Sequence, residues 1–162
     1  MKNNHIITVD GPSASGKGSL AKALAKELNF ILLDSGLLYR AYSYCFEKSH
    51  NHSAAKSLFL NLRINSIEHE MHVFEENRDI TSILRQENVA KLASKLSGLK
   101  ETRDNLISLQ RDLASDHGLV ADGRDMGTVV FPDAGTKIFL VADAEVRAKR
   151  RFLELQNAGQ GV

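Results

Sequence analysis

A chain of 162 residues suits one domain able to bury roughly two-thirds of its unfolded surface. Hydrophobic residues at 43% and charged residues at 25% describe an ordinary soluble globular protein. With 21 basic and 20 acidic residues the formal charge is +1, which argues against a nucleic-acid or membrane coat and leaves meaning to local basic clusters.

The single cysteine, Cys45, rules out an internal disulfide and fits a reducing, cytoplasmic setting. It sits in an apolar helical segment and reads as packing. No signal peptide precedes the first apolar run, and no apolar stretch approaches the roughly 20 residues that span a bilayer.

In chain order, Ile6-Ile7-Thr8-Val9 reads as a strand and Leu20 to Leu28 as a helix. Between them lies Gly11-Pro12-Ser13-Ala14-Ser15-Gly16-Lys17-Gly18-Ser19. Strand, glycine-rich loop, lysine and helix in that order make a phosphate-binding loop, and all nine residues are candidates for ATP. Gly11 and Gly16 let the backbone wrap so that N–H groups point inward at a phosphate chain. The helix N-terminus adds partial positive charge, and the Lys17 ammonium reaches the outer phosphates. The spacing fits G-x-x-x-x-G-K, with Gly18 in the usual hydroxyl place and the hydroxyl one later, at Ser19. That variant is typical of small-molecule nucleotide kinases rather than GTPases.

Phe30 to Leu33 reads as a second buried strand, followed by a helix from about Leu37 to Lys48 with Leu38, Tyr42, Cys45 and Phe46 near one face. Two strand–loop–helix units imply parallel strands with crossover helices, and ligands in such sheets sit beyond the carboxyl ends of the strands. Ser35, Tyr39 and Arg40 would then share the rim of the phosphate loop. From about His50 to Gly98 the pattern changes. Leu62–Ile67 and Met71–Phe74 read as short strands, Ile80–Leu84 as a third, and the polar alternation as a small antiparallel meander. Helices follow over about Gln86–Leu96 and Lys100–Asp116. Leu119-Val120-Ala121 and Lys137–Val141 are the third and fourth core strands, and Asp143 is an N-cap for a helix through Asn157.

Several residues carry two readings each. Asp122 follows an apolar strand, where phosphate-loop enzymes hold magnesium directly or through water, or it simply caps a turn. Arg124 and Asp125 could grip phosphate and accept from a base amine, or form a local ion pair. Arg40 lies one helical turn beyond Gly36, within reach of an anion at Ser35, or is a solvated arginine. Arg147, Arg150 and Arg151 share one helix face and could close over a transferring phosphoryl, or remain solvated. His50-x-His52 and His69-x-x-His72 have no companion cysteines and do not read as a metal site.

Together these segments resemble the bacterial-type cytidylate kinases, a nucleoside monophosphate kinase family. The resemblance rests on Gly11 to Ser19, on Leu33-Asp34-Ser35-Gly36-Leu37-Leu38-Tyr39-Arg40, and on Asp122-Gly123-Arg124-Asp125-Met126-Gly127-Thr128-Val129-Val130-Phe131-Pro132-Asp133. It spans Ile6 to about Gln156 and implies an α/β P-loop kinase, a parallel core sheet flanked by helices with an inserted small antiparallel-strand and helix subdomain. One domain over 1–162 would comprise a core of about 1–48 and 99–145, a monophosphate-binding insertion of about 49–98 and a partial lid of about 146–162.

By the same resemblance the reaction is ATP with CMP or dCMP, and magnesium, giving ADP with CDP or dCDP. The protein would be a cytoplasmic monomer without nucleic-acid or membrane partners. Lys17, Arg124, Arg147, Arg150 and Arg151 would be catalytic, and Ser19 and Asp122 would organise magnesium. Ser35, Tyr39, Arg40 and Arg124 would meet the CMP phosphate side, while Ser94, Arg103 and Asp125 would read cytosine. Family members continue with a second lid arm, a last strand and a helix. The sequence ending at Val162 therefore reads as C-terminally incomplete, with ATP closure and turnover weak or absent. The rival readings are another small P-loop kinase, acting on a different monophosphate or a small metabolite, and a catalytically impaired nucleotide-binding fragment. A GTPase-like switch is disfavoured, because Asp122-Gly123-Arg124-Asp125 lacks the glycine such switches place three residues after the aspartate and no Asn-Lys-x-Asp motif occurs.

Overall fold

A computed structural model describes residues 3–114 and 117–159. In chain order it holds β1 (Asn3–Asp10), α1 (Lys17–Leu28), β2 (Ile31–Asp34), α2 (Ser35–Ser49), α3 (His52–Leu60), β3 (Arg63–Ile67) and β4 (Glu70–Glu75). There follow β5 (Arg78–Asp79), α4 (Thr81–Leu84), α5 (Glu87–Ser97), α6 (Lys100–Leu113), β6 (Leu119–Gly123), a π-helical turn (Met126–Val130), β7 (Ala134–Phe139) and α7 (Ala144–Asn157). The chain divides into two compact units, Met1–Ile31 with Asp116–Val162, and Leu32–Ser115. No helix among the described residues is long and apolar enough to cross a membrane.

The core sheet has strand order β2-β6-β1-β7, with β1 parallel to both neighbours. The expected α/β class with a parallel core sheet is therefore present, and so is the small antiparallel sheet, in the order β3-β4-β5. Buried apolar side chains on the central strands explain the pairing. Val9, Leu119, Val120 and Ala121 are fully buried, and Ala21 and Ala25 of α1 let that helix lie close. Asp143 caps α7, its Oδ1 accepting from the Val146 N–H at 2.9 Å, and α7 ends at Asn157 as its sequence pattern implies.

In the second unit α2 starts at Ser35 because the Asp34 carboxylate accepts from the Leu37 N–H at 3.0 Å. Leu38, Tyr42 and Cys45 do form its buried face, and burial pushes the Cys45 thiol up to about 12. The Tyr42 hydroxyl accepts from Asn105 Nδ2 at 3.1 Å and lies 2.9 Å from His52 Nδ1, so one buried phenol joins α2, α3 and α6. Burial pushes the pKa of this phenol upward. Glu75 ties β4 to α2, accepting from Lys48 Nζ at 2.5 Å and from the Tyr44 hydroxyl at 2.8 Å.

Three expectations need correction. The third strand of the small sheet is Arg78–Asp79, not Ile80–Leu84, which becomes the short helix α4. Ile80 and Leu84 are four apart and both fully buried, a helical spacing, and the Ile80 N–H donates to the Val73 carbonyl at 2.9 Å as the chain turns. Helix α3 lies where none was expected, and its signal was Asn51, whose side chain accepts from the Ala54 N–H at 2.9 Å, with Ala55 and Phe59 buried one turn apart. The fourth core strand sits earlier than Lys137–Val141, and Val141 is 72% exposed. Helix α6 ends at Leu113, and the expected endpoint Asp116 lies outside the described residues, as does Gln160–Val162.

The hairpin of β4 and β5 yields an acid-stability test. Hydrogen bonds from Thr81, then from His72, hold the Asp79 carboxyl down from 3.8 to about 2. A depressed folded-state pKa contributes stability above the unfolded value and loses it as pH falls through the folded one. Asp79→Asn should therefore cost up to about 1 kcal/mol near neutrality, the range for exposed pairs, and the gap to wild type should close between about pH 4 and pH 2. Urea unfolding of both proteins across that range checks it.

Candidate nucleotide-phosphate site

Strand β1 delivers the phosphate loop. Its ladder continues one residue past Asp10, where the Gly11 N–H donates to the Gly123 carbonyl at 3.3 Å. At Gly11 a Cβ would collide with the Leu140 carbonyl oxygen, so only glycine lets the chain leave the sheet here. The Ser15 N–H donates to the Pro12 carbonyl at 3.3 Å, and Gly16, at φ 93°, begins α1 from the left-handed region. Gly16 then accepts the first helical bond, from the Leu20 N–H at 3.1 Å.

Charged groups converge on this loop from within the same unit. Lys17 Nζ lies 3.5 Å from Asp122 Oδ1, with both side chains largely buried. Arg124 Nη2 donates to Ser13 Oγ at 3.4 Å, and Arg150 Nη1 donates to the Ala14 carbonyl at 3.3 Å. Ser15 Oγ is buried without a hydrogen-bond partner among the described residues, a polar atom turned into the loop. A cavity of about 500 Å³ opens beside it, bounded by Ser15, Gly16 and Ser19 on the loop side and by Arg150, Glu154 and Asn157 of α7.

The three α7 arginines do not act alike. Arg150 Nη1 reaches the loop, Arg147 Nε donates back to the Ala142 carbonyl at 3.2 Å, and Arg151 pairs with Glu154 at 3.4 Å. Asp125 opens the π-helical turn, where the Val130 N–H donates to its carbonyl at 3.2 Å and the Phe131 N–H to that of Met126 at 2.7 Å.

Asp122 is 8% exposed and Ser19 is exposed at the start of α1. No cluster of three or more histidine, cysteine, aspartate or glutamate side chains suited to a metal occurs among the described residues. One carboxylate and one hydroxyl suit a magnesium ion shared with phosphates rather than one caged by protein alone.

The second unit carries the remaining candidates. Ser35 is buried as the first residue of α2, and Tyr39 and Arg40 are half-buried one turn further along. Ser94 is exposed on α5 and Arg103 is exposed near the start of α6. Sequence reasoning passed over Arg85, whose Nη2 donates to Asp34 Oδ2 at 3.3 Å beside Ser35. It also passed over Asp10, which accepts from the Met126 N–H at 2.7 Å and the Gly127 N–H at 2.8 Å. The signal for Asp10 was a charge directly after the run Ile6-Ile7-Thr8-Val9.

The family model for cytidylate kinase matches residues 7–162. The chain belongs to the cytidylate kinase family. It is 47% identical to the cytidylate kinase of Mannheimia succiniciproducens over 98% of this chain and 73% of that protein. A cytidylate kinase of Pseudomonas fluorescens is 46% identical over 97% of this chain and 72% of its own length. Cytidylate kinase 2 of Haemophilus influenzae is 47% identical over 95% and 72% respectively. Within this cytidylate kinase family member, the crowded approach of Gly11 to Leu140 gives a direct check. Gly11→Ala should destabilise the chain by about 1–3 kcal/mol, the cost of overpacking, and weaken ATP binding as the loop shifts. Chemical denaturation and calorimetry would measure the two effects.

Proposed function

We propose that this member of the cytidylate kinase family transfers the γ-phosphoryl group of ATP to CMP or dCMP, giving ADP with CDP or dCDP. The observation that carries the reading is the approach of Asp122 to Lys17 and of Arg124 to Ser13 on one phosphate loop. A single-substrate nucleotide binder needs the loop and its lysine. A second cation beside that loop, the Arg124 guanidinium, suits a second phosphate. Segment 49–98 would be the insertion that receives the monophosphate, and 146–162 part of the lid.

No covalent intermediate is required. The protein aligns the acceptor oxygen with the γ-phosphorus and offsets the charge spread over the transferring oxygens. On the donor side, loop amides from Gly11 to Ser19 and the Lys17 ammonium hold the triphosphate. On the acceptor side Arg40, Arg124, Ser35 and Tyr39 take the monophosphate. Asp125 accepts from the exocyclic amine of cytosine, a donor that uracil lacks, and Ser94 and Arg103 are the further readers of the base. Arg150 stands nearest the loop, and Arg147 and Arg151 add charge from the same helix. Ser19 and Asp122 would hold magnesium, which when bound neutralises triphosphate charge.

Release of ADP on mixing the chain with ATP and a panel of monophosphates tests the reaction, with CMP or dCMP expected to lead. Lys17→Ala should lower turnover about a hundredfold or more while leaving CMP affinity nearly unchanged. Near-normal turnover in that variant would refute the donor role. Asp125→Ala should erode the preference for CMP over UMP in competition assays, and an unchanged ratio would count against Asp125 as a reader of the base.

A further inference from the structure

Asp10 is a buried carboxylate that the chemistry above leaves without a task. It is 6% exposed, at the carboxyl end of β1 and immediately before Gly11. Taking a carboxylate out of water is costly unless its lone pairs are occupied. Here Oδ1 accepts from the Met126 N–H at 2.7 Å and Oδ2 from the Gly127 N–H at 2.8 Å. These are charge-assisted bonds to two successive amides.

The backbone of the same residue faces Gly123 in register on β6, and the Gly11 N–H donates to the Gly123 carbonyl at 3.3 Å. Gly123 and Met126 flank Arg124 and Asp125. The β1 ladder thus fastens that pair on its N-terminal side, and the Asp10 carboxylate fastens it on its C-terminal side. Only two residues lie between the anchors, too few for the backbone of either to drift from the loop that Asp10 itself begins.

We propose that Asp10 is a positioning residue: it sets Arg124 and Asp125 against the phosphate loop, and through them sets acceptor affinity and base choice, without touching either nucleotide. The proposal rests on the acceptor-side reading of Arg124 and Asp125 given above. A carboxylate is needed because both its partners are donors. An asparagine has one acceptor oxygen and an NH2 group that would face an N–H.

Asp10→Asn keeps the size of the side chain and removes one of the two bonds. It should bind CMP about tenfold more weakly, the scale of one lost charge-assisted hydrogen bond, and discriminate less against UMP, with ATP affinity held within about twofold. Calorimetry on the whole chain reads all three. Because Asp10 acts through its neighbours, adding Asp10→Asn to an Arg124→Ala/Asp125→Ala background should weaken CMP binding no further, whereas a merely structural role predicts additive losses. Amide hydrogen exchange at Met126 and Gly127 should accelerate in the variant. A folded Asp10→Asn protein with unchanged CMP affinity, an unchanged CMP-to-UMP ratio or additive losses overturns the proposal alone. A wild-type chain that binds no CMP overturns the acceptor reading and takes the proposal with it.

Discussion

Parallel pairing of β1 with β6 on one side and β7 on the other is the constraint on which the first unit depends. It places three strand ends together, so that Asp10 stands opposite both Gly123 and Phe139. The chain leaves β1 as the phosphate loop, leaves β6 as Arg124 and Asp125, and leaves β7 towards α7. Groups far apart in sequence therefore meet at one edge of the sheet, and the bonds of the Asp10 carboxylate to Met126 and Gly127 add a second long-range tie. Lys17 faces Asp122, and Arg150 touches Ala14, because the loop after β1, the end of β6 and the helix after β7 all leave one edge of a sheet whose register is already set.

The second unit adds polar ties to its apolar core. Its small sheet is largely exposed, while Leu38, Phe59, Leu84, Leu96 and Leu106 of its helices are buried. The Tyr42 hydroxyl serves three helices at once, and Glu75 bridges β4 to Tyr44 and Lys48 of α2. The Lys48 ammonium bonded to Glu75, and then the Tyr44 hydroxyl, pull its carboxyl below the usual range. Polar ties of this kind select one packing arrangement, whereas apolar contacts alone tolerate several.

How much of this was legible in the sequence depended on the range of the signal. The phosphate loop was legible because Gly11, Gly16 and Lys17 act within nine residues and the flanking strand and helix have clear periods. The caps at Asp34 and Asp143 also act locally, and the second was foreseen. The strand over Ile80–Leu84 was misread because five residues are too few for the spacing of Ile80 and Leu84 to decide between helix and strand, and only the pairing of Phe74 with Asp79 shows where the sheet stops. Asp10 was overlooked for a plainer reason. Its partners are 116 and 117 residues away, and they are backbone amides, which carry no residue type for a pattern to detect. The divergence of Arg147, Arg150 and Arg151 was likewise invisible, since equal spacing on a helix says nothing about which acceptors stand opposite.

Cys45 acquires a use from its surroundings. It is the only cysteine, 2% exposed, and burial holds its thiol far from ionisation at neutral pH. A thiol reagent can then meet it only in molecules whose second unit has opened. The rate of covalent labelling counts those molecules, so the native chain carries its own internal clock for the breathing of the helices around α2.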